Sequence, residues 1–323
     1  MTATAPQLKT LAKGVHAWLG AGGDSNAGCI ETPNGAIVVD AQQHRGLAER
    51  LRSEIETKLK MPPCVLVNTH YHLDHVAGNI VFDDVPILAH AATRNRLESN
   101  LGPRPDAYWT ITDAPTKIAM FFGANVQELV PEEDPAWAWF LQRVAPPDYD
   151  VVQVKPPSET FTDQFSFHLT DEIVRLPYWG PAHCVGDVPV IVEKAKIAFL
   201  GDLLFCGRFP WLGDCDLDGW IAALNRVLKL DLDVVVPGHG PPATLAEVER
   251  FRDLLAAIRG TVERAMKSGA SEEAAAREVD LPEYASMSRY REWMRFNVRS
   301  AYRYLRGGRA STGNVTSLAA SGH

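Results

Sequence analysis

Three histidines and one aspartate lie within six consecutive positions of this 323-residue chain, as His70, His72, Asp74 and His75. They follow an apolar run at residues 64–67 that is typical of a buried β-strand. Imidazole and carboxylate groups are ligands for zinc, iron and manganese. Side chains two positions apart in an extended chain point the same way, so His70 and His72 could face one ion. The spacing therefore predicts a metal site.

Three further candidate ligands follow at wider spacing. His183 ends a Gly-Pro-Ala-His segment, Asp202 ends Phe-Leu-Gly-Asp, and His239 lies within Pro-Gly-His-Gly. Each is expected at the end of a strand. A histidine pair alone is most often a surface feature, but seven potential ligands are enough to bind two metal ions.

The order of these motifs resembles the metallo-β-lactamase-fold hydrolase superfamily, in which H-x-H-x-D-H precedes a distant His, a Gly-Asp pair and a final Gly-His pair. The resemblance covers roughly Val15 to Pro242. It implies an α/β fold, a four-layer αββα sandwich. It also implies two sets of ligands that share one carboxylate: His70, His72 and His183 for the first metal, Asp74, His75 and His239 for the second, and Asp202 as the bridge. Two Zn²⁺ ions per chain are the implied cofactors, with iron or manganese as alternatives.

The segments around the first motif alternate between strand and helix patterns. Residues 36–40 and 65–67 are apolar runs typical of buried strands, and between them Leu47, Leu51 and Ile55 recur at helical spacing. This order is typical of α/β layering. Further elements are predicted after the first half of the chain: strands at 161–169, 172–176, 188–192, 197–200 and 234–236, and a helix at 218–230.

Three residues near the motifs need a choice between a functional and a structural role. Asp40 closes its strand close to the expected metal motif, so we interpret it as a carboxylate that orients a ligand histidine rather than as a turn residue. His90 and Cys184 are interpreted as structural residues. The five cysteines are odd in number and show no C-x-x-C spacing, which predicts reduced thiols.

Two segments depart from the compact pattern. Residues 100–157 combine several prolines with many aromatic residues, and we interpret them as an insertion over the active site; the alternative is that these rings pack onto the core or a second subunit. Residues 1–242 would form the catalytic domain and 243–306 a helical extension of it, whose apolar face favours packing or a homodimer. The polar tail at 307–323 is predicted to be disordered.

The composition and charge of the chain exclude some classes of binding partner. The net charge is −8 and the isoelectric point about 5.7, so no surplus of positive charge is available for nucleic acid or an anionic membrane. The N-terminus lacks a basic segment followed by a long apolar core, and no run of ~18 apolar residues suggests a membrane span. We therefore expect a cytoplasmic enzyme with a small-molecule substrate.

The paired metals predict hydrolysis. Two divalent cations lower the pKa of a water between them toward ~7, which supplies a metal-bridging hydroxide at neutral pH. Asp74 is the predicted catalytic residue, because it would both bind a metal and position the attacking oxygen. The expected target is an activated acyl centre, in an ester, lactone, thioester or amide, of a small apolar or aromatic substrate.

The same motifs are also found in other enzyme classes. A bridging Asp202 is similar to the glyoxalase II and lactonase branches, which makes a β-lactamase less favoured; no glutathione-binding set can be matched in the C-terminal helices. A mononuclear iron enzyme similar to persulfide dioxygenases and a hydrolytic dehalogenase stay open. A flavodiiron protein is disfavoured because His72 stands where those proteins have Glu. A non-catalytic protein is disfavoured because every ligand position is filled.

Overall fold

Two β-sheets packed face to face form the centre of the molecule. The computed structural model describes residues 6–20, 25–102, 108–123 and 125–307. The strands are β1 (Gln7–Ala12), β2 (Val15–Leu19), β3 (Ala27–Thr32), β4 (Gly35–Val39), β5 (Pro63–Val67), β6 (Ile87–His90), β7 (Trp109–Ile111), β8 (Val152–Val154), β9 (Glu159–Phe161), β10 (Gln164–His168), β11 (Ile173–Pro177), β12 (Val190–Val192), β13 (Ile197–Phe205) and β14 (Val234–His239).

Helices cover the outer faces of both sheets. They are α1 (Arg45–Lys58), α2 (Leu73–Val76), α3 (Ala91–Leu101), α4 (Ala114–Phe122), α5 (Val126–Leu129), α6 (Trp137–Arg143), α7 (Leu217–Val227), α8 (Leu245–Lys267), α9 (Glu272–Glu278) and α10 (Tyr290–Leu305). Short 3₁₀ helices span Ala77–Phe82, Pro147–Tyr149 and Pro282–Tyr284. No helix among the described residues combines the length and the apolar character needed to cross a lipid bilayer.

The first sheet has seven strands in the order β1-β2-β3-β4-β5-β6-β9, antiparallel up to β4 and parallel from β4 to β9. The second has the order β10-β11-β12-β13-β14 and is antiparallel except for the parallel pair β13 and β14. Strands β7 and β8 form a separate antiparallel pair. The parallel strands bring their carboxyl ends to one edge of each sheet, which is where the candidate ligands lie.

Successive side chains along each strand point to opposite faces of the sheet, which explains how the layers pack. Val39 and Val67 point into the space between the sheets and meet Phe199 of β13, while Val38 and Leu66 point outward onto α1. Helix α1 packs against these side chains with three buried residues at helical spacing, Leu47, Leu51 and Ile55. Burial of each such side chain contributes roughly 1.5–3 kcal/mol. The layer order is helix, sheet, sheet, helix, and the predicted four-layer sandwich is confirmed.

The C-terminal helices cover the second sheet. Phe251 and Leu255 of α8 pack with Leu224 of α7 and with Val235 on the outer face of β14. Helix α10 lies against α8 and α9 and carries Trp293 into the same core. Residues 245–305 are thus largely helical. Most of the tail at 307–323, which is predicted to be disordered, lies outside the described residues.

Candidate metal centre

The seven candidate ligands converge on one edge of the two sheets. His70 and His72 lie on the loop that follows β5, and Asp74 and His75 lie on the short helix α2. His183 lies on the loop after β11, Asp202 lies within β13, and His239 is the last residue of β14. All seven are buried.

Their ligand atoms form two groups that share one residue. One group contains His70, His72, His183 and Asp202, and the other contains Asp74, His75, Asp202 and His239. Within each group one nitrogen or oxygen atom per residue lies within 4.8 Å of the others. These groups are the two sets that the sequence resemblance implies, and in both of them Asp202 is the shared member.

Asp202 faces the two sets with different oxygens. Its Oδ2 lies 3.8 Å from His70 Nε2 and 3.7 Å from His183 Nε2. Its Oδ1 lies 3.1 Å from His75 Nε2 and 3.5 Å from His239 Nε2. A carboxylate is therefore presented between two clusters of imidazoles, one oxygen to each.

Space for that carboxylate depends on a glycine. A Cβ atom at Gly238 would lie 1.9 Å from Asp202 Oδ1 and 2.8 Å from the backbone of Gly201. No real side chain tolerates such contacts. The glycine before His239 is thus required by the close approach of β14 to β13.

The donor atoms fit a metal ion. Nε2 of His70 and His75 and Oδ1 of Asp202 are buried and make no hydrogen bond to any described residue. Buried polar atoms are almost always paired, so a convergence of unpaired ones needs an explanation. Ligands about 2.1 Å from one zinc ion lie about 3.4 Å apart at the tetrahedral angle, close to the nitrogen–oxygen distances observed. Imidazole with carboxylate suits zinc, iron or manganese.

Asp40 orients one of these histidines, as the sequence predicts. Its Oδ2 accepts hydrogen bonds from His75 Nδ1 at 2.8 Å and from the Thr69 hydroxyl at 2.7 Å, and its Oδ1 accepts one from the Thr69 backbone N–H at 2.8 Å. Donation from Nδ1 leaves the lone pair on His75 Nε2, which faces the cluster. The residue adopts a left-handed backbone, φ 62°, which Asp and Asn tolerate.

We expect Asp40→Asn to lower the affinity of the second ligand set for zinc by about 10- to 100-fold, because the uncharged amide supports the His75 imidazole less well. Asparagine keeps the shape and the left-handed backbone, so folding should be retained. The measurement is zinc affinity by competition with a chelator. A zinc affinity equal to that of the wild type would contradict the role given to Asp40.

The electrostatics keep the carboxylates ionised. Burial alone would raise the pKa of Asp74, but His75 and His239 outweigh burial and hold that pKa well below its ordinary value. Burial would likewise raise the pKa of Asp202, and the same two histidines lower it. His70 differs, because burial lowers its pKa well below the ordinary value and the neighbouring His75 lowers it further. A neutral His70 imidazole beside anionic carboxylates is the state that binds cations.

His183 and its neighbour Cys184 have a further acidic partner, Asp187. Asp187 accepts hydrogen bonds from the Cys184 backbone N–H at 2.6 Å and from its Sγ at 3.4 Å, and lies 3.8 Å from His183 Nδ1. Burial raises the pKa of the Cys184 thiol well above its ordinary value, so the thiol stays protonated. His90 stacks on Tyr178 with ring centroids 3.6 Å apart. The structural roles predicted for Cys184 and His90 agree with these contacts, and all five cysteines are free.

Besides Asp187, sequence reasoning missed a second acidic residue at the site. Asp214 lies on the loop between β13 and α7, with its Oδ1 3.6 Å from His72 Nε2. Its other oxygen accepts a hydrogen bond from the Tyr71 hydroxyl. Nothing in the local sequence around Asp214 distinguishes it from a loop residue. The only indirect signal is Tyr71, a buried hydroxyl inside the metal motif that needs a partner.

A narrow pocket opens over the two ligand sets. The segment 100–157 supplies three of its lining residues, Phe121, Phe122 and Arg143. The pocket is also lined by further rings, a second arginine and four of the candidate ligands: Phe205, Trp211, Trp293, Arg208, Asp74, His183, Asp202 and His239. The volume open to the centres of water molecules in this pocket is about 20 Å³, which is enough for one or two waters.

Trp139 and Phe140 of the segment 100–157 pack against other rings and do not line the pocket. Trp139 contacts Trp293 with centroids 5.9 Å apart, and Phe140 contacts Trp211 at 5.6 Å and Phe296 at 6.3 Å. Both interpretations of the segment therefore apply, to different rings. It contacts the site and is at the same time anchored on the C-terminal helix α10.

Arg208 and Arg143 bring positive charge to this pocket. Arg208 Nη1 lies 2.9 Å from His239 Nδ1, and because a guanidinium can only donate, His239 Nδ1 is the acceptor. Arg143 donates to the Tyr149 hydroxyl at 2.8 Å and to Gln43, and lies over the Phe121 ring at 4.5 Å. Burial lowers the pKa of Arg208 to about 10, so it remains charged at neutral pH.

Comparison with known proteins agrees with this geometry. The model of the metallo-β-lactamase superfamily matches residues 20–239, and the chain belongs to that superfamily. One curated relative is the 2,4-dinitroanisole O-demethylase subunit alpha of Nocardioides sp., 23% identical over 267 residues, which are 81% of this chain and 63% of that protein. Another is the hydroxyacylglutathione hydrolase GloC of Haemophilus influenzae, 26% identical over 220 residues, 65% of this chain and 84% of that protein.

Solved structures show the same fold at low sequence identity. The stereoselective inverting sec-alkylsulfatase from Pseudomonas sp. matches with a TM-score of 0.67 and 16% identity, and the match covers 95% of this chain and 51% of the sulfatase. A metallo-β-lactamase from Pontibacter korlensis matches with a TM-score of 0.55 and 21% identity, over 78% of this chain and 99% of that one. At these identities the likeness concerns the fold alone.

Proposed function

We propose that this protein is a dinuclear zinc-dependent hydrolase that acts on an activated acyl centre of a small aromatic or apolar substrate. The observation that carries the proposal is the position of Asp202, whose two oxygens face two separate imidazole sets at 3.1–3.8 Å. A carboxylate shared in this way suits a pair of ions better than a single one.

The ligand assignment follows the two groups. The first ion would be held by His70, His72 and His183, the second by Asp74, His75 and His239, and Asp202 would bridge them. Bound divalent cations lower the pKa of a coordinated water and polarise the group under attack. Superfamily membership supports a metal-dependent enzyme, and the hydroxyacylglutathione hydrolase relative supports hydrolysis as the class of reaction.

The chain's own residues would orient the reactants. Asp74 is ionised and lines the pocket, where it can accept a hydrogen bond from the attacking water and fix its direction. In acyl hydrolysis the water oxygen bonds to the acyl carbon, the bond to the leaving group breaks, and the leaving group takes up a proton. The product is a carboxylate, and Arg143 and Arg208 place positive charge where that anion would form.

A hydrogen bond joins Arg208 to His239, which is one of the proposed ligands. A neutral imidazole that accepts a hydrogen bond at Nδ1 carries its proton on Nε2, and Nε2 then cannot bind a cation. If His239 Nε2 is a ligand, Nδ1 must carry the proton and cannot accept from Arg208. The hydrogen bond between Arg208 and His239 would then be lost.

The rings that line the pocket suit an aromatic substrate, which would enter only after these side chains move apart, because the pocket as it stands has room for one or two waters. We expect Phe121→Leu to raise KM for aryl esters by about 2- to 10-fold, because ring contacts contribute about 0.5–1.5 kcal/mol beyond area burial, and to leave KM for alkyl esters nearly unchanged. Phe165→Leu is the matched control, since Phe165 lies on β10 and is partly exposed. Equal shifts for both ester classes would argue against ring recognition.

The same walls favour one second candidate, hydrolytic displacement on an activated aromatic ring, as in dehalogenation or cleavage of an aryl ether. The relative named as a 2,4-dinitroanisole O-demethylase subunit points to aromatic substrates of this kind. In that case water would bond to the ring carbon, and halide or alkoxide would leave. Release of halide or alcohol from nitroaryl compounds would favour this candidate over acyl hydrolysis.

The test combines metal content with a substrate screen. Protein purified without added metal or a metal-chelating tag is analysed by plasma mass spectrometry, and about two zinc ions per chain are expected. Turnover is then compared across thioesters, lactones, aryl esters, β-lactams and halogenated or alkoxylated nitroarenes. One iron per chain, with oxygen uptake on persulfides, would replace the proposal with a mononuclear iron oxidoreductase.

A further inference from the structure

Asn26 immediately precedes β3 and contacts the turn at the end of β14 that carries His239. Its side-chain Nδ2 donates hydrogen bonds to the Pro237 carbonyl at 2.9 Å and to the Gly240 carbonyl at 2.8 Å. Its backbone N–H donates to the Gly238 carbonyl at 2.7 Å. One residue, distant in sequence, therefore holds the backbone on both sides of a candidate ligand.

The Asn26 amide is fixed in one orientation. Its relative exposure is 3%, and its Oδ1 accepts a hydrogen bond from the Gly20 backbone N–H at 2.9 Å. The acceptor oxygen thus faces a donor, and the NH₂ group faces two carbonyls. A carboxylate has no hydrogen atom to donate to those carbonyls, so the contacts require an amide.

The neighbouring residue, Ser25, joins the same segment to the first sheet. Its hydroxyl donates a hydrogen bond to the backbone carbonyl of Asp74. Its own carbonyl accepts a hydrogen bond from Gln42 Nε2 at 2.8 Å. Ser25 and Asn26 are consecutive, and together they contact the backbone around two members of the second ligand set, Asp74 and His239.

These two ligands come from different sheets. Asp74 follows β5 of the first sheet and His239 ends β14 of the second, so no ladder of strand hydrogen bonds joins them. Their side chains nevertheless approach closely, with Asp74 Oδ2 3.1 Å from His239 Nε2. A metal site requires ligand distances within about 0.2 Å of their ideal values, so a small shift of either segment would weaken binding.

We propose that Asn26 is a positioning residue for the second metal position, which it supports by fixing the backbone around His239, while Ser25 holds Asp74 in register with it. This inference rests on the proposed function, because it assumes that the second ligand set binds an ion. Neither Asn26 nor Ser25 is a member of that set, and each acts through the backbone of the chain that carries a ligand. Ligands held in place before the ion arrives lose less conformational freedom on binding.

The test uses the full-length chain and zinc itself as the probe, with affinities measured by chelator competition. We expect Asn26→Ala to weaken one of the two zinc positions by about 10- to 100-fold. Asn297→Ala is the matched control. Asn297 is also buried, and its amide bonds the Pro210 carbonyl at 2.6 Å and the Leu212 N–H at 2.9 Å, in a segment without a proposed ligand. This variant should change both affinities by less than about threefold, because distant residues act independently.

Two further backgrounds assign the weakened position. His70→Ala removes a ligand of the first position, so the zinc that remains is held by the second set. Adding Asn26→Ala should weaken that zinc by about 10- to 100-fold. His75→Ala removes a ligand of the second position instead. In that background Asn26→Ala should leave the tighter zinc, which is held by the first set, unchanged.

A spectroscopic readout separates positioning from general stability. In protein loaded with Co²⁺, a displaced His239 alters the ligand field, so the visible bands should shift in Asn26→Ala and stay unchanged in Asn297→Ala. Circular dichroism verifies that each variant is folded. If Asn26→Ala is not, Ser25→Ala takes its place, because it removes only the hydrogen bond to the Asp74 carbonyl; the same zinc position should then be weakened.

Different results overturn different statements. Wild-type zinc affinities and Co²⁺ bands in folded Asn26→Ala, or in Ser25→Ala where that variant replaces it, would overturn the positioning role and leave the proposed function standing. Equal weakening in Asn297→Ala, or weakening confined to the first position, would overturn it as well. A wild-type chain that binds no zinc would overturn the proposed function itself.

Discussion

Asp202→Asn should lose at least one of the two zinc ions and lower kcat/KM by about 10³-fold or more, a loss of about 4 kcal/mol of transition-state stabilisation. The reason lies in the two oxygens of the wild-type side chain, each of which faces a different imidazole set. Asparagine has one oxygen, so it can serve only one set. Its amide NH₂ group would point toward the other imidazole set, and the partial positive charge on the amide hydrogens would repel a cation there.

Two measurements check this expectation. Zinc per chain should fall from about two toward one or none. The increase in Tm on adding zinc to chelator-treated protein should shrink, because a ligand that binds only the folded state stabilises it by about 2.7 kcal/mol at a hundredfold excess over Kd. Asp231→Asn is the matched control, since Asp231 is exposed and pairs with Lys196 at the surface. Two retained zinc ions with wild-type turnover would exclude a bridging role for Asp202.

The candidate ligands could be found from the sequence because their motifs resemble those of the metallo-β-lactamase superfamily, and the strand topology explains why they meet. Residues that end adjacent parallel strands must meet at one edge of the sheet, so Asp40 and the motif after β5 were placed together by topology alone. The same logic brought Asp202 and His239 together, because β13 and β14 are parallel neighbours. The resemblance thus named the members of a long-range cluster, and the parallel strand pairs give the physical reason for it.

The loop residues could not be found in this way. Asp214 and Arg208 lie after β13 on an irregular segment whose path is set by hydrogen bonds to α4 and α10, far away in sequence. No periodicity describes such a path. Charged residues on loops are usually solvated, so a buried aspartate beside His72 becomes recognisable only when the tertiary contacts are known.

The segment 100–157 shows what amino-acid composition can and cannot predict about the site. Its abundance of rings predicted a cover on the site, and Phe121 and Phe122 do line the pocket. Composition could not separate them from Trp139 and Phe140, which pack against α10. The difference arises from the packing of α4 and α6, where neighbouring rings on one helix face different partners.

The second large effect is expected for Asp74, and it distinguishes a ligand from a residue that also directs the chemistry. Asp74 Oδ2 lies 3.1 Å from His239 Nε2 and 3.9 Å from His75 Nε2, so it belongs to the second ligand set. It also lines the pocket, whereas His75 does not. We expect both Asp74→Ala and His75→Ala to lose nearly all turnover at trace zinc, with the fold largely intact.

Excess zinc should separate the two variants. If a single ligand is missing, mass action restores occupancy, so His75→Ala should regain part of its turnover once zinc exceeds the weakened Kd. Asp74→Ala should stay about 10²-fold below that level at equal occupancy, because nothing then orients the attacking water. The measurement is kcat against zinc bound per chain in both variants. Equal recovery would make Asp74 a ligand only, and the direction of attack would have to come from the remaining pocket groups, of which Asp202, Arg143 and Arg208 carry charge.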